Sequence, residues 1–341
     1  MTDLLEGFFH PAEWATQESI WLSWPHNPDT WPMEVIHEAQ TEYVAFIAEI
    51  SKHQKVNINV NDESTVTQIQ TLLSTIEHHS ESVIYHLHPT NDSWIRDHGP
   101  DFIINTTTKQ KLVLDWKYNA WGDKYPPYDL DNEIPTSVAE ALDLPQLSID
   151  MVLEGGSVDF NGEGVVLTTI ECLLNPNRNP NLSKEEIETT LKTYYGCNTV
   201  IWLKGELIGD DTDGHIDNIA RFVNKDTILC AWEEDENHPN ATCLTWNYDF
   251  LEKNHPEFKL IKLPMPDTYV LNGLTLPCSY ANFLIINNAV LVPQYGCEKD
   301  KEALNIIKKH FPDRKTIGLS AKYLIWGQGS FHCLSKQEPK I

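Results

Sequence analysis

The chain of 341 residues carries 50 acidic and 25 basic residues, which gives a formal net charge of −25. This balance argues against nucleic acid and anionic membrane surfaces as partners, and it favours encounter with a cationic ligand. No run of about 18 apolar residues predicts a membrane span. The first residues lack the basic and apolar regions of a secretory signal, so the sequence predicts a cytoplasmic protein.

The first half of the chain alternates predicted strands and helices. A weak strand-rich unit begins with "SIWLSWP" (19–25) and has "KVNINVN" (55–61) as its later strand. Apolar spacing near 3.6 predicts a helix over 66–79. Two β-hairpins follow at 101–116 and 157–169, each with an apolar strand, a turn bearing Asn or Gly, and a second apolar strand.

The second half continues this alternation. Segment 183–196 predicts a helix, because a serine can cap its start, acids fill its first turn and glycine ends it. Hairpin patterns recur at 219–232 and 282–296, and helical spacing follows at 298–311. The stretch "KYLIW" (322–326) is predicted to be a strand that leads into a glycine turn.

Roughly five strand-rich modules, each carrying a helix, therefore make up the chain. The length is typical of about two domains, but no linker or low-complexity tract divides the modules, so we expect one domain over 1–341. Five such modules would close most simply as one α/β ring, with strand ends pointing at a shared centre and few exposed sheet edges. An ordinary mixed α/β domain with unrelated hairpins is the alternative.

Polar residues accompanied by glycine recur just before the hairpins. "SWIRDHGP" (93–100) precedes the first hairpin, "LEGG" (153–156) the second and "GDDTDGHIDN" (209–218) the third. The last module ends in "GQGSFHC" (327–333). If these segments converge, one cavity receives a set of three acids, an imidazole and a thiol: Asp97, Glu154, His215, Asp217 and Cys333.

These side chains together suggest chemistry on a guanidinium group. Carboxylates bind its planar fork through paired, charge-assisted hydrogen bonds. The Cys333 thiolate can attack the central carbon, and His215 can protonate the departing ammonia and then activate water. Because neighbouring acids raise the pKa of a thiol, we expect the cationic substrate itself to help to ionise Cys333.

Each of these residues also has a structural interpretation. Cys333 could be a packed thiol, Glu154 a solvated turn acid, and Asp97 the partner of a local ion pair with Arg96 or a turn cap. A Cys-His-Asp protease uses overlapping residue types, but it has no role for a third carboxylate.

The histidines near the site are distinguished by strand alternation. If 215–217 is a strand, Asp217 shares the face of His215. By the same rule His332 points away from Cys333, so it is not expected to be the base. His98 is expected to serve local structure.

The seven cysteines include no C-x-x-C pair and are odd in number, so in a reducing compartment they predict free thiols, most of them in the core. Without H-E-x-x-H or clustered Cys/His spacing, the sequence predicts no metal site.

Taken in order, these blocks resemble the agmatine deiminase family, which is peptidylarginine deiminase-like and belongs to the pentein-fold, guanidino-group-modifying enzymes. The resemblance covers nearly the whole chain, through the blocks at 18–32, 93–100, 119–131, 153–169, 172–180, 210–223, 279–296 and 327–339. It implies a five-bladed, pseudo-symmetric α/β propeller of ββαβ-type modules. It also implies hydrolysis of agmatine to N-carbamoylputrescine and ammonia, in putrescine and polyamine metabolism, without metal or organic cofactor.

The resemblance also implies a role for each site residue. The family's nucleophile falls on Cys333 and its general acid/base on His215; its guanidinium-binding acids fall on Asp97 and Asp217, and the acid paired with the histidine falls on Glu154. Trp94 and Trp121 would line the substrate tunnel. Asp211 falls where the family places an acid near the distal amine of the substrate.

Two departures from the family pattern bear on substrate choice. Gln328 stands where the family commonly has the middle one of three glycines, and "SKQEP" (335–339) replaces a glutamine run. Deimination of free arginine or peptidyl-arginine on the same fold therefore stays open, as does a non-catalytic protein that binds guanidinium or polyamines. A homodimer is the default expectation for assembly.

Overall fold

The computed structural model describes residues 5–271 and 273–341, as an alternation of short strands and helices. Strands β1 to β18 are, in chain order, Gln17–Ser23, Lys55–Asn59, Val83–His86, Asp101–Asn105, Gln110–Lys117, Gln146–Val152, Asp159–Phe160, Val165–Thr169, Thr199–Leu203, Ala220–Asn224, Thr227–Trp232, Lys259–Pro264, Tyr269–Leu271, Leu274–Leu276, Leu284–Ile285, Ala289–Gln294, Lys315–Ser320 and Ser335–Pro339. Helices α1 to α10 are Ile36–Ser51, Glu63–Leu73, Ile95–His98, Ala120–Asp123, Asp129–Asn132, Ile134–Ala141, Ile170–Leu173, Lys184–Tyr195, Ala241–Asn254 and Lys299–His310. Within this part of the chain, no helix has the length and apolarity needed to cross a bilayer.

Four sheets repeat one pattern, in which an antiparallel hairpin is extended by a parallel third strand. They are β4-β5-β6, β7-β8-β9, β10-β11-β12 and β15-β16-β17. The third strands follow α6, α8, α9 and α10, because a parallel neighbour needs a crossover rather than a tight turn. The four predicted hairpins and the ββαβ modules are confirmed.

The fifth module is completed by the two ends of the chain. Strand β1 pairs in parallel with β2, the later strand expected for this unit, and antiparallel with β18, which supplies the strand that the N-terminal unit lacks. In that pairing Leu22 lies opposite Ser335 and Ile20 opposite Gln337. The pairing joins the last module to the first, which confirms the five-bladed α/β propeller and fixes Cys333 two residues before a strand.

A short helical turn precedes the first strand of each of the four central modules. Helix α3 lies before β4, and 3-10 turns at Gly155–Ser157, Ile216–Asn218 and Tyr280–Asn282 lie before β7, β10 and β15. Consecutive turns of this series contact one another, and α3 also contacts β18. The strand suggested for 215–217 is therefore wrong, because this segment belongs to the ring of turns at the centre.

Two other predictions from the sequence need correction. Residues 322–326 are not a strand, since Leu324–Gly327 form a 3-10 helix. The carboxylate of Glu42 accepts the backbone N–H groups of Tyr323 and Leu324, at 2.9 and 3.0 Å, and so satisfies donors that a strand would have offered to a ladder. The helix predicted at 66–79 instead spans Glu63–Leu73, because Asp62 caps it through the Thr65 N–H.

The predicted helices at 183–196 and 298–311 are confirmed as α8 and α10. Ser183 and Glu186 form a capping box at the start of α8, and Gly196 ends the helix in the left-handed region at φ 63°.

The segment that carries Cys333 is fixed by packing, since Phe331 stacks on Phe46 of α1 with ring centroids 4.7 Å apart.

Arg221 on β10 ties neighbouring modules together. Its fully buried guanidinium donates to Asp159 at 2.7 Å and to Glu13. It also donates to the backbone carbonyls of Ala281 and Phe283, at 3.1 and 3.0 Å. The side chain thereby connects the N-terminal segment with the second, third and fourth hairpins.

Replacement of Arg221 by leucine is predicted to destabilise the fold strongly, because two buried carboxylates would lose their cation. We expect the free energy of unfolding to fall by about 3–5 kcal/mol, measured by urea denaturation. The matched control is Lys117→Leu, which breaks the exposed ion pair with Asp150 and should have little effect. An Arg221→Leu protein as stable as this control would contradict the role given to Arg221.

Candidate active site

Gly156 lies where the central turns come together. A Cβ atom on this residue would lie 2.6 Å from Nδ1 of His215, 2.8 Å from Oδ1 of Asp97 and 3.2 Å from Oδ2 of Asp217. Only glycine permits this approach. The five residues predicted to converge, Asp97, Glu154, His215, Asp217 and Cys333, are all at most 5% exposed.

Cys333 is held by a side chain that the sequence argument missed. Its Sγ lies 3.0 Å from Nδ2 of Asn282 and 3.5 Å from Oδ2 of Asp217. Oδ1 of Asn282 accepts the backbone N–H groups of His332 and Cys333 at 3.1 and 3.3 Å, which fixes the turn. Asn282 precedes the fourth hairpin as Asp97 precedes the first, and this position was the signal that could have identified it.

The thiol and the imidazole both favour their protonated forms in the free site. Burial, with Asp217 and Asp97 nearby, raises the pKa of the Cys333 thiol well above its ordinary value. Burial lowers the pKa of His215, but Asp97, Cys172 and Glu154 outweigh it and raise that pKa well above the ordinary value. Nδ1 of His215 lies 3.7 Å from Oδ1 of Asp97.

Glu154 is fully buried, so its interpretation as a solvated turn acid is wrong. Its Oε1 accepts from Nε of Arg178 at 2.6 Å. Arg178 also donates to Asp213 at 2.6 Å and to the carbonyl of Thr212 at 2.8 Å, on the segment leading to His215. Arg178 therefore anchors Glu154 beside the histidine.

Cys172 is a second buried thiol at this site, and it too was missed. Its Sγ lies 3.9 Å from Oε2 of Glu154. Among the described residues, ligand atoms of Glu154, Cys172 and His215 lie within 4.8 Å of one another. These are metal-ligating residue types, but the Arg178 cation beside Glu154 opposes a second cation there.

Asp97 is oriented by two hydrogen bonds, one from its own module and one from the next. It accepts from the Gly156 N–H at 2.9 Å and from Nε1 of Trp121 at 3.0 Å. The local ion pair with Arg96 does not form, because Arg96 donates to the His332 carbonyl at 3.1 Å and to Gln337 at 2.7 Å. Burial raises the pKa of Asp97, although His215 opposes this shift.

Asp217 and His332 form a direct pair, contrary to the expectation that His332 faces away. Nδ1 of His332 lies 2.7 Å from Oδ2 of Asp217. The prediction was wrong because residues 331–334 form a turn, where strand alternation does not apply. Oδ1 of Asp217 is buried and has no hydrogen-bond partner among the described residues.

His98 is buried against Tyr118, with ring centroids 5.9 Å apart. Burial lowers its pKa to about 3, so it is neutral. It contributes to packing next to the site, in line with the local role expected for it.

The two predicted tunnel aromatics, Trp94 and Trp121, contact different residues of the site. Trp94 packs against Gly329, where a Cβ would lie 2.5 Å from the indole and 2.9 Å from Cβ of Cys333. Trp121 contacts Asp97 at one side and Tyr125 at the other, with ring centroids 5.7 Å apart.

The carboxylate of Asp211 accepts a hydrogen bond from the Tyr125 hydroxyl. Burial raises the pKa of Asp211. The side chain of Gln328 also bonds Tyr125, and Gln328 adopts a left-handed backbone at φ 73°. This conformation suits the glycine commonly found at that position, so the departure affects the side of the site near Asp211.

Comparisons with known proteins agree with this geometry. The family model for Porphyromonas-type peptidyl-arginine deiminase matches residues 9–339. Agmatine deiminase of Medicago truncatula is 33% identical, over 100% of this chain and 98% of that protein. Agmatine deiminase of Campylobacter jejuni with substrate bound has a TM-score of 0.89 at 35% identity, over 97% of this chain and 96% of its own.

A structure of Enterococcus faecalis agmatine deiminase has a TM-score of 0.91 at 33% identity, over 98% of this chain and 96% of its own. Sequence and fold thus match over essentially the full length of each relative. The chain belongs to the Porphyromonas-type peptidyl-arginine deiminase family, with agmatine deiminases among its full-length relatives.

Proposed function

We propose that this protein is an agmatine deiminase that hydrolyses agmatine to N-carbamoylputrescine and ammonia. One observation carries the proposal: a buried imidazole and two carboxylates surround Gly156, and the Cys333 thiol lies 3.5 Å from one of these acids, Asp217. All four arginines already donate to protein groups. A guanidinium is the cation that such a set of acids suits best. The full-length agmatine deiminase relatives support the same activity.

The guanidinium group would be bound by Asp97 and Asp217. Asp217 offers Oδ1, which is buried and has no hydrogen-bond partner among the described residues. Asp97 has oxygens with remaining acceptor capacity, held in place by Gly156 and Trp121. The bound cation would lower the pKa of the Cys333 thiol, which these two acids raise in the free site.

Reaction would begin when the Cys333 thiolate forms a C–S bond to the central guanidinium carbon. The His215 imidazolium donates its proton to one nitrogen, the C–N bond breaks, and ammonia leaves a cationic thiouronium. Neutral His215 then takes a proton from water as the oxygen attacks the same carbon. Cleavage of the C–S bond returns the thiolate, and the hydroxyl proton of the adduct passes to solvent to yield the urea product. Glu154 stabilises the charged form of His215.

The arginines bear on the choice between agmatine and arginine. Free arginine or a C-terminal arginine carries a carboxylate that a cation should bind. The chain has four arginines, and all of them donate to protein groups: Arg96, Arg178, Arg221 and Arg314. Agmatine lacks that carboxylate and carries an amine instead, which suits Asp211.

The distal end of agmatine would lie along Trp94 and Trp121. Tyr125 packs against Trp121 and donates a hydrogen bond to Asp211. Because Tyr125 is half exposed, Asp211 lies toward the solvent side of the site. An acid and aromatic faces together favour an alkylammonium group.

We also propose a single catalytic domain over 1–341, located in the cytoplasm, with a small cationic guanidine as its partner and no nucleic acid or membrane. The product would enter putrescine and polyamine metabolism. Assembly as a homodimer is the default proposal. No metal or organic cofactor is required by the chemistry above.

The second candidate is deimination of free or peptidyl arginine on the same site. The description of the matching family, a peptidyl-arginine deiminase, favours it. The engagement of all four arginines and the acid at position 211 weigh against it.

Ammonia release from agmatine, free arginine and a peptidyl-arginine, assayed in parallel, tests the substrate. We expect release from agmatine alone, because Asp211 matches an amine and all four arginines already donate to protein groups. Cys333→Ser should abolish ammonia release. Cys230→Ser, which replaces a buried core thiol on β11, should retain it. Release from arginine or the peptide in preference to agmatine would overturn the substrate assignment.

Alkylation of Cys333 should be slow at neutral pH and accelerate with rising pH. Since burial and the two acids raise the thiol pKa well above its ordinary value, the thiolate fraction should grow about tenfold per pH unit between about pH 7 and pH 9. The rate is measured with iodoacetamide by mass spectrometry of the Cys333 peptide. A rate that reaches a plateau below about pH 8 would contradict the raised pKa.

A further inference from the structure

We infer that His332, supported by Glu13, is a positioning residue that orients Asp217 toward the guanidinium group. This inference rests on the proposed function, because it specifies how one acid of that site is held. It concerns two buried groups, an imidazole and a carboxylate, to which the chemistry above gives no role.

The three side chains form a continuous buried line. Nδ1 of His332 lies 2.7 Å from Oδ2 of Asp217, and its Nε2 lies 3.0 Å from Oε2 of Glu13. His332 is 2% exposed, Asp217 is fully buried and Glu13 is 7% exposed. The imidazole thus bridges two carboxylates that would otherwise repel each other in a region with little solvent.

The two carboxylates joined by this bridge, Glu13 and Asp217, both favour their ionised forms. Burial raises the pKa of Glu13, but Arg221 and His332 outweigh it and hold the pKa below the usual range. Burial likewise raises the pKa of Asp217, but His332, His215 and Arg221 together hold it below its ordinary value. Ionised carboxylates only accept hydrogen bonds, and each ring nitrogen of His332 faces one of these two carboxylates.

The bridge through His332 gives the two oxygens of Asp217 different environments. Oδ2 is fixed between His332 and the Cys333 thiol, which lies 3.5 Å away. Oδ1 has no partner among the described residues and is left for the substrate. Without the hydrogen bond to His332 the Asp217 carboxylate could rotate, and its alignment with a planar guanidinium would be lost.

His332 also acts on the negative charge beside the proposed nucleophile, because it lowers the pKa of Asp217. When Cys333 ionises, its thiolate lies next to the Asp217 carboxylate, which by itself disfavours the charged sulfur. His332 balances that carboxylate from the adjoining residue.

Glu13 is itself immobilised by the surrounding structure. It accepts from Arg221 and from the backbone N–H of Ile285, the latter at 2.7 Å. The segment before β1 therefore supports the site through Glu13.

Two amide substitutions separate the halves of the bridge. In His332→Asn the amide nitrogen takes the approximate place of Nδ1 and keeps the bond to Asp217; in His332→Gln it takes that of Nε2 and keeps only the bond to Glu13. Both are made in a Cys333→Ser background, and Kd is measured by calorimetry for methylguanidine and agmatine. We expect the Gln variant to bind methylguanidine at least about tenfold more weakly, since a charged hydrogen bond is lost, and the Asn variant to stay within about threefold.

The matched control is His10→Gln. His10 is a buried histidine that stacks on Phe160 at 4.0 Å and does not contact Asp217, so its replacement should leave both Kd values unchanged. Thermal unfolding checks that every variant is folded. Equal weakening by Asn and Gln at position 332, or none by Gln, would overturn the inference.

If the His332 variants do not fold, Glu13→Ala in the same background replaces them. It should weaken methylguanidine binding by about fivefold or more, because His332 loses the partner that fixes its ring, and an unchanged Kd would overturn the inference. Methylguanidine carries no distal group, so a failure of agmatine hydrolysis by the unmodified protein would refute the proposed function without affecting this comparison. A folded background that binds neither probe would refute both.

Discussion

The close burial of several carboxylates around one glycine is the constraint on which the rest of the structure depends. Each such acid needs a cation or several donors to stay ionised. Arg178 serves Glu154, Arg221 serves Glu13 and Asp159, and His332 serves Asp217.

Asp97 is the acid that this arrangement leaves least compensated. Nδ1 of His215 lies 3.7 Å from its Oδ1, and burial raises the pKa of Asp97. The free site therefore keeps protons on its thiol and imidazole and has room for one more positive charge. In the proposed reaction a guanidinium supplies that charge at the place where the thiol must ionise, which would link substrate recognition with activation of the proposed nucleophile.

The propeller meets this constraint by repetition. A short turn ahead of the first strand recurs from module to module, and neighbouring turns contact each other at the centre. These turns carry Asp97, Asp217 and Asn282, so a recurring backbone element presents different side chains in different modules. Pairing of β1 with β18 closes the ring and brings Cys333 to the centre with the others.

Much of this arrangement could be predicted from local patterns. Hairpins, capped helices and glycine-flanked acids each leave a signal within about fifteen residues, and they identified the modules and the five residues around Gly156. The ends of the ring were harder, because the partner of β1 lies about 300 residues away and its sequence shows no sign of the pairing. The segment 322–326 was misassigned for the same reason, since distant Glu42 determines its conformation.

The side chains that support the site were also hidden from sequence reasoning. Asn282 carries no charge and no flanking glycine, so its turn did not stand out beside the others. Strand alternation gave the wrong direction for His332, which lies in a turn. Arg178 and Cys172 act through contacts with Glu154 that arise only when their module folds. Supporting residues of this kind depend on tertiary distances rather than on spacing along the chain.

The most direct test of the account is whether the Cys333 sulfur becomes covalently bonded to the substrate carbon. The protein is mixed with agmatine, quenched in acid within milliseconds, digested and analysed by mass spectrometry. The account predicts that the Cys333 peptide gains the mass of agmatine less one ammonia, and that replacing His215 by asparagine prevents its hydrolysis or formation. Ammonia release with no adduct on any cysteine, or with the adduct on Cys172 instead, would contradict the account.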